Sequence, residues 1–389
     1  MPKRLRILFT VFEPSGDALA APAIMRILES GSNREVWAMG GPLMQAAGAN
    51  LIEKTTDHAV MLTGIAGQLR THLKRLKQLQ QWLADHPIDV LVPVDSPAAN
   101  WSICKLVRRL QPDANITYLV APQLWGWAPW RLSKLKRLTD QVLCLLPFER
   151  QWFADRGVNV QFVGHPVFEQ IRCDKDPVPG LPDGQPKLAL LPGSRRSEIR
   201  ANWPMMLEVV RELRRQHPKI QGVVAAADDQ AEKLIKELNG TDENDPEVMI
   251  QANQTPAILS WSDLALVVCG TASLQTAAAG KPMVIIYNVN RWLWHTMGRW
   301  LVGTRTFGLP NLIAESEGLG RIVPELVPHF GAAKPVIDQL DQLIRQPQVY
   351  SDQRQSLAQV TGIFDDHDFA STVSAQIQEV ADQQASCHP

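Results

Sequence analysis

The sequence predicts an α/β protein of two doubly wound, Rossmann-like domains facing a cleft. Three observations predict it. At 389 residues the chain exceeds what one core ordinarily fills, so two domains are expected. Short, nearly continuous apolar runs alternate with helical patterns, as in parallel sheets covered on both faces. That alternation occurs twice, on either side of a proline-rich stretch.

In the first half, strands are expected at 5–12, 35–39, 89–94, 116–120, 141–146 and 160–163, with helices at 18–28, 69–83 and 103–110. Residues 1–11 are basic and then apolar, like a leader segment. Acidic Glu13 and Asp17 follow at once, which favours a first buried strand. Residues 164–186 contain five prolines and three glycines, a composition that disfavours regular structure and reads as a linker. It separates a first domain at 1–163 from a second at 187–348. The second domain is expected to hold strands at 188–191, 221–225, 248–250, 264–268 and 283–287. Residues 349–384 are helical in character and are expected to pack back on the first domain. Such sheets bind ligands beyond the carboxyl ends of their strands, so the cleft between two such edges is the expected site.

Composition narrows the partners. A net charge of −1 argues against a nucleic-acid binder. The five cysteines form no C-x-x-C pair and the histidines no H-x-x-x-H pair, so no metal is expected and the setting reads as reducing and cytoplasmic. No segment reaches the roughly 18 apolar residues of a spanning helix.

Strand 188–191 runs into Pro-Gly193-Ser194-Arg195-Arg196-Ser197-Glu198 and then a helix. A glycine there lets a phosphate approach the first helical N–H groups, and an arginine adds a two-pronged clamp. The same residues also suit an ordinary strand-to-helix turn with solvated arginines. A second glycine turn, Gly270-Thr271-Ala272, follows strand 264–268. From 264 to 314 there is no Asp or Glu, while Lys281, Arg291, Arg299 and Arg305 remain. About five acids would be expected at ordinary usage, so this region suits a polyanionic ligand.

Within it, Arg291 to Val302 reads RWLWHTMGRWLV. At helical spacing Leu293, Trp294, Met297, Trp300 and Leu301 share one face, with Trp292 beside them and Arg291, His295 and Arg299 opposite. A cationic helix with tryptophans on its apolar face fits a bilayer interface. The stretch 59–84 is also free of acids, with Leu69, Leu73, Leu76 and Leu83 in one stripe and Arg70, Lys74 and Lys77 around it. That stripe serves equally as core packing.

In the first domain, polar loops follow expected strands at Glu13-Pro14-Ser15-Gly16-Asp17, at 95–100 and at 121–127. Ser15 and Asp17 serve equally as helix caps. Asp95 is the best candidate for a general base, because a carboxylate at a strand's carboxyl edge can be desolvated and tuned. His165 is a second candidate.

The segments FEPSGD (12–17), GGP with a later Met and Gly (40–48), VDSPAAN (94–100), APQLWGW (121–127), LPFE (146–149), FVGHP (162–166), LLPGSRRSE (190–198), CGTASLQ (269–275) and GLPNLIA (308–314) occur in order. Together they resemble the lipid-A-disaccharide synthases, glycosyltransferase family 19 of the GT-B type, over about residues 5–330. The resemblance implies a metal-independent, inverting transfer without a cofactor. A 2,3-diacylglucosamine unit would pass from UDP to the 6-hydroxyl of 2,3-diacylglucosamine 1-phosphate. Asp95 would be the base, Arg195 would stabilise the leaving UDP, and Asn311 would orient a substrate. On this reading Gly193, Ser194, Arg195, Glu198, Gly270, Thr271, Ala272 and Gln275 hold the UDP-sugar. Glu13, Ser15, Gly16, Asp17, Asn100, Gln123 and Trp125 face the acylated monosaccharide phosphate.

Three positions depart from the family pattern: Phe12 stands where a glycine is usual, Ala98 replaces a second acid, and Gln275 replaces a glutamate expected on the donor ribose. The expected setting is cytoplasmic and peripheral to the inner membrane, with no nucleic-acid partner and a homodimer left open. Two other readings stand beside this one: a catalytically silent glycolipid- or nucleotide-binding paralogue, and a GT-B-type enzyme with another UDP-sugar.

Overall fold

The computed structural model describes residues 4–31, 33–56, 65–126, 128–173, 180–239, 248–288 and 306–387. The chain divides into two compact units, Met1–Pro166 with His367–Pro389, and Val167–Asp366.

In the first unit the chain runs β1 (Leu5–Thr10), α1 (Pro14–Glu29), β2 (Arg34–Gly40), α2 (Pro42–Ala46), β3 (Asn50–Lys54), α3 (Ile65–Asp85), β4 (Val90–Pro93), α4 (Pro97–Leu110), β5 (Asn115–Leu119), α5 (Leu132–Leu138), β6 (Gln141–Cys144), α6 (Pro147–Ala154) and β7 (Val160–Phe162). Proline opens α1, α2, α4 and α6, where its missing N–H costs nothing and its fixed φ suits a helix start. The described strands form one parallel sheet in the order β3-β2-β1-β4-β5-β6-β7. Its centre is buried on both faces, with Ile7, Leu8, Phe9 and Val90 to Val92 inaccessible to solvent.

The second unit contains β8 (Lys187–Leu191), α8 (Arg196–Gln216), β9 (Gln221–Ala226), α9 (Asp229–Leu238), β10 (Met249–Ala252), α10 (Thr255–Trp261), β11 (Leu264–Val268), α11 (Thr271–Ala278), β12 (Met283–Asn288), α12 (Leu309–Ser316), β13 (Glu325–His329), α13 (Ala333–Arg345) and α14 (Pro347–Gly362). Its parallel sheet runs β10-β9-β8-β11-β12-β13. Trp203, Met206 and Val209 of α8 pack on it, fully buried.

Both sheets therefore show the doubly wound order 3-2-1-4-5-6, reversing direction between β1 and β4 and between β8 and β11. Ligands bind such sheets beyond the carboxyl ends at that reversal.

Two edge strands escape the sequence reading. β3 and β13 are only half-buried along most of their length, so neither carries a continuous apolar run, and β13 contains Pro328. The proline-rich stretch read as a linker opens instead with a helix, α7 (Pro166–Cys173), because Val167, Phe168 and Ile171 are buried. The helical segment read over 349–384 is two helices. α14 belongs to the second unit, while α15 (Phe369–Cys387) places Phe369, Val373 and Ile377 in the core of the first.

Candidate active site

At the carboxyl edge of the first sheet, Gly16 and Asp17 form part of the frame. A β-carbon on Gly16 would come within 2.9 Å of Val11 Cγ1. The buried Asp17 carboxylate accepts N–H bonds from Gly41 (3.1 Å), Leu43 (3.1 Å) and Met44 (3.0 Å), capping α2 from a distance in sequence. A side chain at Gly41 would overlap that carboxylate, which explains why the two motifs occur together. The FEPSGD segment thus offers outward the half-buried Glu13 and the exposed Ser15.

The next loop is strained. Asp95 and Ser96 both adopt left-handed backbone, at φ 45° and 42°, where a non-glycine pair costs about 1–3 kcal/mol per residue. Asn100, fully buried, holds the strained turn. Its Nδ2 donates to the carbonyls of Val94 (3.0 Å) and Asp95 (2.7 Å), and its Oδ1 accepts from Thr10 Oγ1 (2.8 Å). The Tyr118 hydroxyl donates to the same Asp95 carbonyl at 2.7 Å. Asn100 therefore aims Asp95, and its burial keeps it from contacting a ligand.

The loop after β5 presents an exposed Gln123 and a half-buried Trp125, while Trp127 lies outside the described residues. The Trp125 indole donates inward to Glu149 Oε1 at 2.9 Å. Burial pushes the Glu149 carboxyl up to about 7 against the pull of that bond and of the Leu146 and Leu145 N–H groups. Sequence reading missed Glu149 as a site residue, although the LPFE segment carried it. Burial also pushes His165 down to about 4, so its imidazole is neutral near pH 7.

In the second unit, β8 ends in Gly193 at φ 110°. The Ser194 and Arg195 N–H groups at the start of α8 donate to Glu198 Oε2, each at 3.3 Å, and Arg195 Nη1 donates to Glu198 Oε1 at 3.1 Å. Glu198 is thus the cap of its own loop. The Arg195 side chain stays three-quarters exposed and within reach of an anion. The half-buried Tyr287, at the end of β12, has its hydroxyl pKa raised by burial and by Glu198.

Gly270 at φ 149° begins α11, which has no side-chain cap. Among the described residues nothing lies within 4 Å of where its β-carbon would stand, and no side chain caps the first turn of α11. Thr271 is exposed, and Ala272 and Gln275 are half-buried on the first turns.

Asn311 and Lys281 join Asp17, Asn100 and Glu198 among the expected ligand contacts whose hydrogen bonds are made within the fold. Asn311 is fully buried, and its amide spends all four hydrogen bonds internally. Oδ1 accepts from the Ile322 and Val323 N–H groups (3.0 Å each), and Nδ2 donates to Val323 O (3.0 Å) and Glu325 Oε2 (2.9 Å). A primary amide has no further capacity, so Asn311 ties α12 to the approach of β13. Lys281 lies before β12, at the sheet's opposite edge, and donates to the carbonyls of Ser260 (3.1 Å) and Ser262 (2.6 Å).

The proposed membrane helix, with Trp292, Leu293, Trp294, Met297, Trp300 and Leu301, lies outside the described residues, as do Arg291, Arg299 and Arg305. In α3, Leu83 is buried and Leu76 half-buried in the core, whereas Leu73 is 58% exposed. Among the described residues no helix is long and apolar enough to cross a membrane, and no three His, Cys, Asp or Glu side chains gather to hold a metal.

A family model described as lipid-A-disaccharide synthetase matches residues 7–363. Lipid-A-disaccharide synthase 1 of Legionella pneumophila is 32% identical over 84% of this chain and 85% of its own. The lipid-A-disaccharide synthase of Geobacter sulfurreducens is 28% identical over 91% and 92%. Among solved structures, the glycotransferase of kitacinnamycin superposes with a TM-score of 0.65 at 14% identity, covering 98% of this chain and all of its own. A UDP-GlcNAc 2-epimerase from Neisseria meningitidis, bound to UDP-GlcNAc, superposes with 0.60 at 12% identity, covering 97% of this chain and all of its own. These last two establish the two-domain GT-B-type fold. The match along nearly the whole chain, on a doubly wound frame with open glycine turns, places this protein in the lipid-A-disaccharide synthase family of glycosyltransferases.

Proposed function

We propose that the chain moves 2,3-diacylglucosamine from UDP to the 6-hydroxyl of 2,3-diacylglucosamine 1-phosphate, with inversion, giving the β-1,6 disaccharide and UDP. The observation that carries this reading is the family match over 7–363, which spans both reversal-point loops, at Asp95 and at Gly193 and Gly270. Asp95 takes the proton from the acceptor hydroxyl as its oxygen bonds to the anomeric carbon. The bond from that carbon to the UDP oxygen breaks, and UDP leaves with the electron pair. Arg195 and the start of α11 stabilise the charge gathering on the diphosphate. Acylated substrates require a lipid surface, and the tryptophan-rich segment 291–302 supplies a peripheral contact. A homodimer is compatible with this scheme and is not required by it.

The test is acceptor-dependent UDP release from UDP-2,3-diacylglucosamine in detergent micelles. Asp95→Ala should lower turnover by about 10²- to 10⁴-fold, as expected for loss of a general base, while UDP still binds. Full turnover in that variant sinks the base assignment. For the membrane contact, Trp294→Ser with Trp300→Ser should reduce co-sedimentation with anionic liposomes, and unchanged sedimentation would place that contact elsewhere.

A further inference from the structure

We propose that Glu149 is a positioning residue for the transfer: its buried carboxylate clamps the 121–128 loop through Trp125 and so sets the shape of the acceptor side. The inference rests on the acceptor role given to that loop above.

The loop joins β5 to the 3₁₀ turn Pro129–Arg131 before α5, and its backbone is strained at both ends. Val120 stands at φ 67° and Ala128 at φ 58°, both in the left-handed region. A β-branched residue there is a genuine outlier, and such strain persists only when the surroundings over-determine it. The loop's internal bonds are short turns, Leu124 N–H to Pro122 O and Gly126 N–H to Gln123 O. Leu124 anchors it in the apolar core, but apolar contact gives little direction.

Direction comes from Trp125. Its indole N–H donates to Glu149 Oε1 at 2.9 Å, and its ring meets Phe148 edge to face at 4.9 Å. The other Glu149 oxygen accepts the Leu146 N–H at 3.2 Å. One carboxylate therefore bridges the loop after β5 and the loop after β6, on the sheet edge that also carries Asp95. A helix cap at the surface would serve α6 without burying a carboxyl group, which is costly unless every oxygen is bonded. Reaching Trp125 is what burial of Glu149 accomplishes here.

The experiment uses the full chain as wild type, Glu149→Leu, which has no acceptor for the indole, Trp125→Phe and the double variant. Hydrogen exchange reads the 121–126 amides directly, and the UDP-release assay gives kcat and the acceptor KM, with UDP affinity measured by calorimetry. In both single variants the 121–126 amides should exchange faster while β8 to β13 stay unchanged. The acceptor KM should rise up to about tenfold, the worth of one ordinary hydrogen bond, with UDP affinity unaltered. The double variant should be no worse than either single one, since each removes the same bond. Unchanged exchange at 121–126, faster exchange throughout the first unit, or additive effects in the double variant would each overturn the clamp. Trp125→Phe keeps the Glu149 carboxyl group and decides the matter if Glu149→Leu does not fold. A wild-type enzyme without acceptor-dependent release refutes the transfer instead, and the exchange data still judge the clamp.

Discussion

At the carboxyl edge of the first sheet the backbone turns left-handed at Asp95, Ser96, Val120 and Ala128 besides Gly164, whereas in the second it does so at Gly193, Gly270, Gly331 and a single non-glycine, Asn253. Glycine enters that region freely and asparagine and aspartate tolerate it, while Ser96, Val120 and Ala128 do not. The first edge stays in place because buried polar groups hold it: Asn100 and Tyr118 on the Asp95 carbonyl, Glu149 on the Trp125 indole. At the second edge Glu198 ties down the turn after β8. The chemistry assigned to each accounts for the difference. On the proposed scheme a base at Asp95 needs a side chain at its turn, whereas a diphosphate at Gly193 and Gly270 would be bound by N–H groups that glycine exposes.

The contrast can be tested from its largest effect downward. Glu149 titrates at about 7 when folded and at 4.5 in its ordinary state. Its folded value is raised, so its contribution to stability is fully present below pH 4.5 and is lost as pH rises through 7. The loss is about 3 kcal/mol, and urea unfolding at pH 5 and pH 8 should show it in the wild type but not in Glu149→Gln. An equal slope in both proteins would place the ionisation elsewhere.

Gly270→Ala comes next. At φ 149° and ψ −159° the backbone lies where only glycine is at ease, so an alanine must shift the start of α11. UDP affinity should fall about tenfold, the equivalent of 1.4 kcal/mol of strain, and calorimetry with UDP would detect it. Unaltered affinity would mean that the diphosphate does not use that turn.

Ser96→Gly is the smallest and has the opposite sign. It removes about 1–2 kcal/mol of left-handed strain and restores part of that as backbone entropy, so thermal stability should rise slightly. A fall would show that Ser96 makes a stabilising contact that outweighs its strain.

Much of the frame was legible in the sequence. The central strands β1, β4, β8 and β11 are buried on both faces, so their apolar runs were unmistakable. The reversal-point loops were legible too, because Gly193 and Gly270 each follow such a run. The roles of individual polar residues were harder to read. Asp17 and Asn311 stand in motifs with other polar groups, yet their partners lie 24 to 27 and 11 to 14 positions away, and burial makes them struts. Glu149 carried no outward sign of its role, since its bond to Trp125 spans 24 positions.

By itself, the sequence determined two doubly wound units, the glycine turns after β8 and β11, the Asp95 loop and the family. These depend on local periodicity, on backbone freedom at single glycines and on ordered short motifs, all of which are written along the chain. Tertiary structure alone decided which polar side chains stay accessible and which hold the frame. A polar group's role depends on its desolvation and on donors and acceptors brought from distant positions, and neither exists until the sheets are packed.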